Sequence, residues 1–154
     1  MIVIHRLKNV KSHLTEVLQN FTKLKVKEAE EKEEIKPGHI YVAAANYHLL
    51  LEEDFCFSLC VDEVINFSRP SIDVSFVSFA QVVQNNLLAI ILTGANSDGA
   101  HGLAQVFEFD GEAWVQDPNE AYVASMPREA LRLVPNAKSM TIPEMSSKLR
   151  EFYV

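Results

Sequence analysis

The sequence has few of the residues that mark specialised protein classes. Its 154 residues include two cysteines, five glycines and six prolines. These low glycine and proline contents exclude a collagen-like or low-complexity chain. Two cysteines cannot build the disulfide framework of a small secreted domain. We therefore expect a globular protein of a reducing, cytoplasmic compartment.

The two cysteines, Cys56 and Cys60, are expected to lie too far apart in space to act together. They alternate with apolar residues over residues 55–61, a period of two that predicts a β-strand. Four residues of strand span about 13 Å, too far for a disulfide or a shared metal ion, so both should be small buried residues. His39, His48 and His101 are scattered along the sequence, and their spacing matches no zinc-binding motif. We expect no metal and no cofactor.

Basic residues are outnumbered, with 14 Lys and Arg against 21 Asp and Glu and a net charge of -7. This balance disfavours a phosphate backbone or an anionic membrane as the main partner. The apolar runs are too short to span a bilayer, and the residues after Met1 do not resemble a secretion signal. We expect no nucleic acid partner and no membrane insertion.

The composition is that of a globular protein, with 48% apolar and 23% charged residues, and residues 1–154 fit a single domain. Residues 87–92 are apolar on every side, which is typical of a parallel strand covered on both faces. Residues 49–52 and 55–61 predict an antiparallel hairpin. Strands that alternate with helical segments indicate an α/β fold, with a mostly parallel sheet and helices on both faces.

Helices are predicted where apolar residues recur at helical spacing. The first covers residues 11–21, and the second begins at a cap formed by Ser71 or a neighbour. Three later helices are predicted: one that contains Leu103, one that follows Met126 and Pro127, and a final helix that contains Met145.

Two residues at strand ends are candidates for chemistry. Ligands of an open parallel sheet collect beyond the carboxyl ends of its strands. His5 follows the first apolar segment, and Asp98 lies in the turn after residues 87–92. Together they would form a general base and its orienting carboxylate. The alternative is that Asp98 only caps the helix after Gly99 and that His5 is a partly buried surface histidine.

The turn over residues 93–99 is rich in glycine, which permits close approach of the backbone. A phosphate-binding loop would use the same property. The pattern is neither G-x-G-x-x-G nor G-x-x-x-x-G-K-[ST], so nucleotide binding is the weaker interpretation.

The sequence of this turn, Thr-Gly-Ala-Asn-Ser-Asp-Gly-Ala over residues 93–100, resembles the aspartate loop of the chemotaxis receptor protein-glutamate methylesterases (CheB-type catalytic domains). Further stretches agree with that family in the same order: residues 37–43, 47–51, 69–73, 116–118 and 126–130. The resemblance implies a cytosolic serine hydrolase on a doubly wound α/β sheet. Its substrate would be a methylated chemoreceptor, from which it removes glutamate methyl groups without a cofactor.

The resemblance also implies roles for individual residues. His5 would be the general base and Asp98 the residue that orients it. Gly94, Ala95 and Gly99 would belong to the active-site loop that faces the oxyanion. Ala95 stands where the family often has methionine, so a side-chain contact near the nucleophile is absent.

The family's nucleophilic serine follows the first strand, one βα unit before the histidine. This chain starts at the strand that carries His5, so we expect the first βα unit and the nucleophile to be missing. No other serine, Ser97 included, has a suitable setting. The chain alone should then be inactive, and the uncovered sheet should favour self-association. The alternative is a non-catalytic module that binds receptors and keeps the fold.

Overall fold

The computed structural model describes residues 1–6, 12–64 and 68–152. Within these ranges, helices and strands alternate along most of the chain. In order they are α1 (Leu14–Gln19), β1 (Lys25–Glu28), β2 (His39–Val42), β3 (His48–Leu51), β4 (Phe57–Cys60), α2 (Ile72–Val83), β5 (Leu88–Ile91), α3 (Ala100–Glu108), β6 (Glu112–Gln116), α4 (Ser125–Leu133), β7 (Lys138–Met140) and α5 (Ile142–Glu151).

The strands are arranged as an α/β fold with one antiparallel hairpin, which confirms the predicted fold class. β5, β6 and β7 form a parallel group with β6 in the middle, and β1 is parallel to β2. β3 and β4 form the hairpin, in which Leu51 lies opposite Phe57. The hairpin packs on α2, where the Ser78 hydroxyl bonds to the backbone N–H and C=O of Leu51.

Helices cover both faces of the β5–β7 group. Val115 of β6 packs in the main core with side chains of α2, α3 and α4. The neighbouring Trp114 points to the other face and packs with Met140 and with Met145 of α5. Because successive residues of a strand face opposite sides, this pair shows that β6 is buried on both faces.

The first residues of the chain lie beside β2. Ile2 is paired in parallel with Val42, its N–H donates to the Tyr41 carbonyl at 2.8 Å, and its carbonyl accepts from the Ala43 N–H at 2.9 Å. Residues 1–5 and 87–95 line one cavity of about 780 Å³, which we call the central groove. On one side of it lies the segment around Ile2; on the other lies β5, the edge strand of its group.

Two helix starts show why the chain turns where it does. The Ser71 hydroxyl accepts the Val74 N–H at the start of α2, as its predicted capping role requires. At the start of α5, Thr141 and Glu144 form a reciprocal capping box, and Pro occupies the first turn.

Some predictions differ from the structure. The first helix is shorter than residues 11–21, since α1 covers Leu14–Gln19, and Lys11 lies outside the described residues. β7 was not predicted, because three residues are too few to show alternation. Cys56 and Cys60 are free thiols, as expected, but they are half-buried rather than buried. Across the described parts of the chain, no helix is long and apolar enough to cross a bilayer.

Candidate active site

His5 and Asp98 lie in contact although 93 residues separate them in sequence. The Nε2 atom of His5 is 2.6 Å from Oδ2 of Asp98. An ionised carboxylate only accepts hydrogen bonds, so Nε2 carries the proton and donates it. Nδ1 is then unprotonated, and its lone pair accepts a hydrogen bond from the Asn96 side-chain amide at 3.2 Å. Asp98 is buried, whereas 29% of the His5 side chain is exposed, so the pair has one accessible side.

The Asp98 carboxylate is held by donors from the beginning of α2 as well as by His5. Oδ1 accepts from the Ser71 hydroxyl at 2.7 Å and from the Asp73 N–H at 3.0 Å. Oδ2 accepts from the Ile72 N–H at 2.6 Å. The expected alternative, in which Asp98 caps its own helix after Gly99, is therefore wrong. Asp98 precedes α3 in sequence, but its side chain serves the N-terminus of α2.

These contacts determine the charge of Asp98. Burial by itself would raise the pKa of the carboxyl. The hydrogen bonds from His5, Ile72, Asp73 and Ser71 outweigh burial and hold the pKa below its usual range. The positive end of the α2 dipole acts in the same direction. Asp98 is consequently an ionised group next to the His5 ring.

Asp73 makes the reciprocal contact from the first turn of α2. Its Oδ1 atom accepts from the Gly99 N–H at 2.9 Å and from the Gly102 N–H at 2.7 Å, at the beginning of α3. Burial raises the pKa of Asp73, and the neighbouring Asp98 charge raises it further, against the two backbone hydrogen bonds. The two helix starts are thus fastened to each other through a pair of carboxylates.

The turn before Asp98 is tied to the start of α4. The Gly94 N–H donates to the Val123 carbonyl at 3.0 Å, and the Met126 N–H donates to the Gly94 carbonyl at 3.0 Å. A Cβ atom on Gly94 would lie 1.8 Å from the Met126 sulfur, so any other residue here would force the Met126 side chain to move. The sulfur that covers this turn comes from Met126, whereas Ala95 is exposed.

The predicted oxyanion loop needs a correction. The N–H of Gly94 donates to Val123, and the N–H of Gly99 donates to Asp73, so the fold already uses both groups. Neither can face an oxyanion without breaking a bond that holds the turn. Among the described residues nothing accepts the Ala95 N–H. Of the three predicted residues, Ala95 is the one whose amide remains open.

The serine whose hydroxyl reaches this pair is Ser71, and it cannot act as a nucleophile. Its hydroxyl donates to Asp98 rather than to His5, and the residue is fully buried. Ser97 is exposed in the turn beside Asp98. The expectation that the chain has no nucleophile stays a prediction.

The central groove reaches this site, because His5 is one of its lining residues. His5 follows the segment around Ile2, whereas Asn96 and Asp98 follow β5. Because His5 contacts Asn96 and Asp98, the segment around Ile2 and β5 end at the same end of the groove. A third strand parallel to them would also end beside His5. Throughout the described ranges, no group of three or more His, Cys, Asp or Glu side chains is placed to hold a metal ion.

Sequence reasoning missed several residues of the site. Ser71 was singled out only as a cap, and Asn96, Asp73 and His48 were given no role there. The available signal was that all four residues lie in segments that resemble the family, residues 47–51, 69–73 and 93–100. Nothing in the spacing showed that the N-terminus of α2 would contact the Asp98 side chain, since 26 residues separate Ile72 from Asp98.

Comparisons with known proteins agree on one family. The sequence pattern of the family described as CheB methylesterase matches residues 1–149. The crystal structure of the Thermotoga maritima CheB methylesterase catalytic domain superimposes with a TM-score of 0.90 at 29% identity, covering 97% of this chain and 81% of that one. A protein-glutamate methylesterase/protein-glutamine glutaminase of Paraburkholderia xenovorans is 37% identical over 135 residues, 86% of this chain and 37% of that protein.

A Leptospira interrogans protein, provisionally named a protein-glutamate methylesterase/protein-glutamine glutaminase, is 55% identical over 115 residues. That match covers 75% of this chain and 60% of the relative, so the chain corresponds to only part of the length of these relatives. The length of the matches, their identity and the shared fold lead to one conclusion: the chain belongs to the CheB methylesterase family.

Proposed function

We propose that residues 1–154 are the part of a protein-glutamate methylesterase that supplies the general base, and that the whole enzyme hydrolyses glutamate methyl esters on cytoplasmic domains of chemoreceptors. The contact between Asp98 and His5, a residue that lines the central groove, carries this proposal. Membership of the family and the names of its relatives support the choice of substrate.

The proposed reaction is acyl transfer in two steps. A serine hydroxyl replaces the Asn96 amide at Nδ1 of His5, attacks the ester carbonyl and gives its proton to Nδ1. Asp98 accepts the hydrogen bond from the Nε2–H group of His5 and stabilises the imidazolium. The intermediate collapses, and methanol leaves with the proton from Nδ1. Water then repeats the sequence on the acyl-enzyme and releases the glutamate carboxylate. The Ala95 N–H is the amide of the active-site loop that is free to bind the oxyanion.

The central groove is where the serine would enter. Its walls are mainly apolar, and its volume of about 780 Å³ suits a short extended segment. A strand seated parallel to both sides would bring its carboxyl end to His5. We propose that the segment that precedes the His5 strand in this family occupies the groove and delivers the nucleophile.

The test extends the chain at Met1 with the segment that precedes the equivalent strand in the Thermotoga maritima catalytic domain. The extended protein should release methanol from a methylated receptor, and a fluorophosphonate should label the added serine. Alanine at that serine is the matched control, and the unextended chain should be neither active nor labelled. Slower hydrogen exchange at Leu88–Ile91 would show that the groove is filled. A filled groove without hydrolysis, or labelling of a serine within residues 1–154, contradicts the proposal.

Two other functions are supported by specific observations. The relatives' names pair methylesterase with glutaminase activity, and deamidation of glutamine would use the same acyl-enzyme with ammonia as the leaving group. A non-catalytic receptor-binding module is favoured by the hydroxyl of Ser71, which is committed to Asp98 instead of His5. Ammonia release by the extended chain would support the first. Receptor binding without turnover in that chain would support the second.

A further inference from the structure

His48 is a buried histidine that contacts the backbone N–H of Ser71, whereas Asp98 contacts the Ser71 hydroxyl. His48 is 1% exposed and lies at the start of β3. Its Nε2 atom is 2.9 Å from the Glu63 carbonyl, which can only accept, so Nε2 carries the proton. Its Nδ1 atom therefore accepts, and its partner is the Ser71 N–H at 3.2 Å. These two bonds determine the tautomer of His48.

The contacts of Ser71 also have a fixed direction. The Val74 N–H donates to the Ser71 hydroxyl oxygen at 3.4 Å. The hydroxyl proton is then available to Asp98, whose Oδ1 atom lies 2.7 Å away. Ser71 is thus held through its backbone N–H by His48 and holds Asp98 through its hydroxyl. All three residues are buried, so water does not compete for these bonds.

Ser71 differs in this respect from the cap of α5. The Thr141 hydroxyl accepts from the Glu144 N–H and donates to the Glu144 side chain within its own turn. Ser71 has Val74 at the equivalent position and donates instead to a carboxylate 27 residues away. Its contact with Asp98 therefore does more than close a helix turn.

We propose that Ser71, held in place by His48, is a positioning residue that fixes the Asp98 carboxylate behind His5. The inference rests on the proposed function, because it assigns a role in the same site. Ser71 touches neither substrate nor a reacting atom. It acts through Asp98, whose orientation decides where the His5 ring points.

The experiment measures the pKa of Asp98 by carboxyl ¹³C NMR in the chain and its variants. Ser71→Ala removes the hydroxyl donor, and the pKa of Asp98 should rise by about one pH unit, since a hydrogen bond to a charged group is lost. Thr141→Ala is the matched control. It removes the cap of α5, whose hydroxyl bonds to Glu144 within its own turn and not to Asp98, so it should leave that pKa unchanged. Ser71→Thr restores a hydroxyl and should restore the low pKa.

A pair of His48 variants tests the second link. His48→Asn places an acceptor where Nδ1 stood, whereas His48→Gln keeps a donor for Glu63 but loses that acceptor. The pKa of Asp98 should rise more in the Gln variant than in the Asn variant. Equal effects would show that His48 acts only by filling space.

The outcomes separate this proposal from the proposed function. An unchanged pKa of Asp98 in folded Ser71→Ala overturns the positioning role, whatever the activity. In the extended chain, Ser71→Ala should lower kcat at least tenfold with little change in KM, and Thr141→Ala should change neither. If the extended chain is inactive but the pKa of Asp98 moves as described, the methylesterase proposal fails and the positioning role stands.

Discussion

Asp73 and Asp98 each accept backbone hydrogen bonds from the beginning of the helix associated with the other. Asp98, just before α3, accepts from the first N–H groups of α2, and Asp73, in α2, accepts from Gly99 and Gly102 at the start of α3. Each carboxylate lies at the positive end of the opposite helix, where negative charge is stabilised. The exchange gives the candidate site a rigid frame. It also places the Asp98 charge close enough to Asp73 to raise the pKa of the Asp73 carboxyl.

Asp98 should make the protein less stable in acid. Its pKa is lowered in the folded state, so its contribution is present above the unfolded pKa of about 3.9 and is lost as pH falls through the folded value. Asp98→Asn lacks this titration. Denaturant unfolding from pH 2.5 to 5.5 should show the free-energy difference between parent and variant growing with pH up to about pH 5. A difference independent of pH would mean that Asp98 is not stabilised as an anion.

Asp73 should have the opposite effect. Its pKa is raised in the folded state, chiefly by burial, so its contribution is complete below the unfolded pKa and is lost as pH rises through the folded value. Asp73→Asn keeps an oxygen acceptor for Gly99 and Gly102 but carries no charge. Relative to the parent, the variant should become more stable as pH rises from 3 to 7. A parent protein that gains more stability than the variant over that range would contradict this prediction.

Gly99 should tolerate alanine less well than Gly38, although both have a positive φ, of 100° and 73°. A Cβ atom at Gly38 meets nothing within 4 Å, so alanine there should cost about 1 kcal/mol of backbone strain. At Gly99 it would lie 2.5 Å from Ile91 and 2.8 Å from Ile72, both part of the core. Gly99→Ala should therefore cost about 1 to 3 kcal/mol more, because overpacking adds to the strain. Thermal unfolding of both variants measures the difference, and equal losses would show that the core adjusts without cost.

The sequence predicted those parts of the fold that depend on local pattern. The hairpin over residues 48–60, the cap at Ser71 and the parallel strand over residues 88–91 follow from alternation, a capping residue and an apolar run. The partners of Asp98 could not be predicted, because they depend on how α2 is docked. No local rule connects Ser71 to a residue 27 positions away.

Position at strand ends and resemblance to the family were the two signals for His5 and Asp98. The same resemblance suggested Gly94 and Gly99 as oxyanion groups, but a motif does not report where an N–H points. In the structure those two amides hold the turn together. The role of Gly94 depends on Met126, which packs against it from α4.

The proposed catalytic role of Asp98 can be tested in the chain extended with a nucleophile segment. Asp98→Asn keeps an oxygen that can accept from His5, but the imidazolium loses its neighbouring charge. The same change in an unrelated serine protease lowers turnover by roughly 10⁴, and we expect a loss of at least about 10² in kcat. Each factor of ten corresponds to about 1.4 kcal/mol of activation free energy.

The structure adds a cost in stability. Both oxygens of the Asp98 carboxylate accept hydrogen bonds, from donors of His5, Ser71, Ile72 and Asp73. In the asparagine variant the NH₂ group replaces one of these oxygens, so it must face at least one N–H donor whichever way it turns. The variant should therefore melt below the parent, and kcat must be measured well below its melting temperature. Asp54→Asn is the matched control, because Asp54 also accepts a backbone N–H, from Cys56, but lies in the exposed hairpin turn. Unchanged kcat in folded Asp98→Asn would remove Asp98 from the mechanism and leave it as a residue that caps the N-terminus of α2.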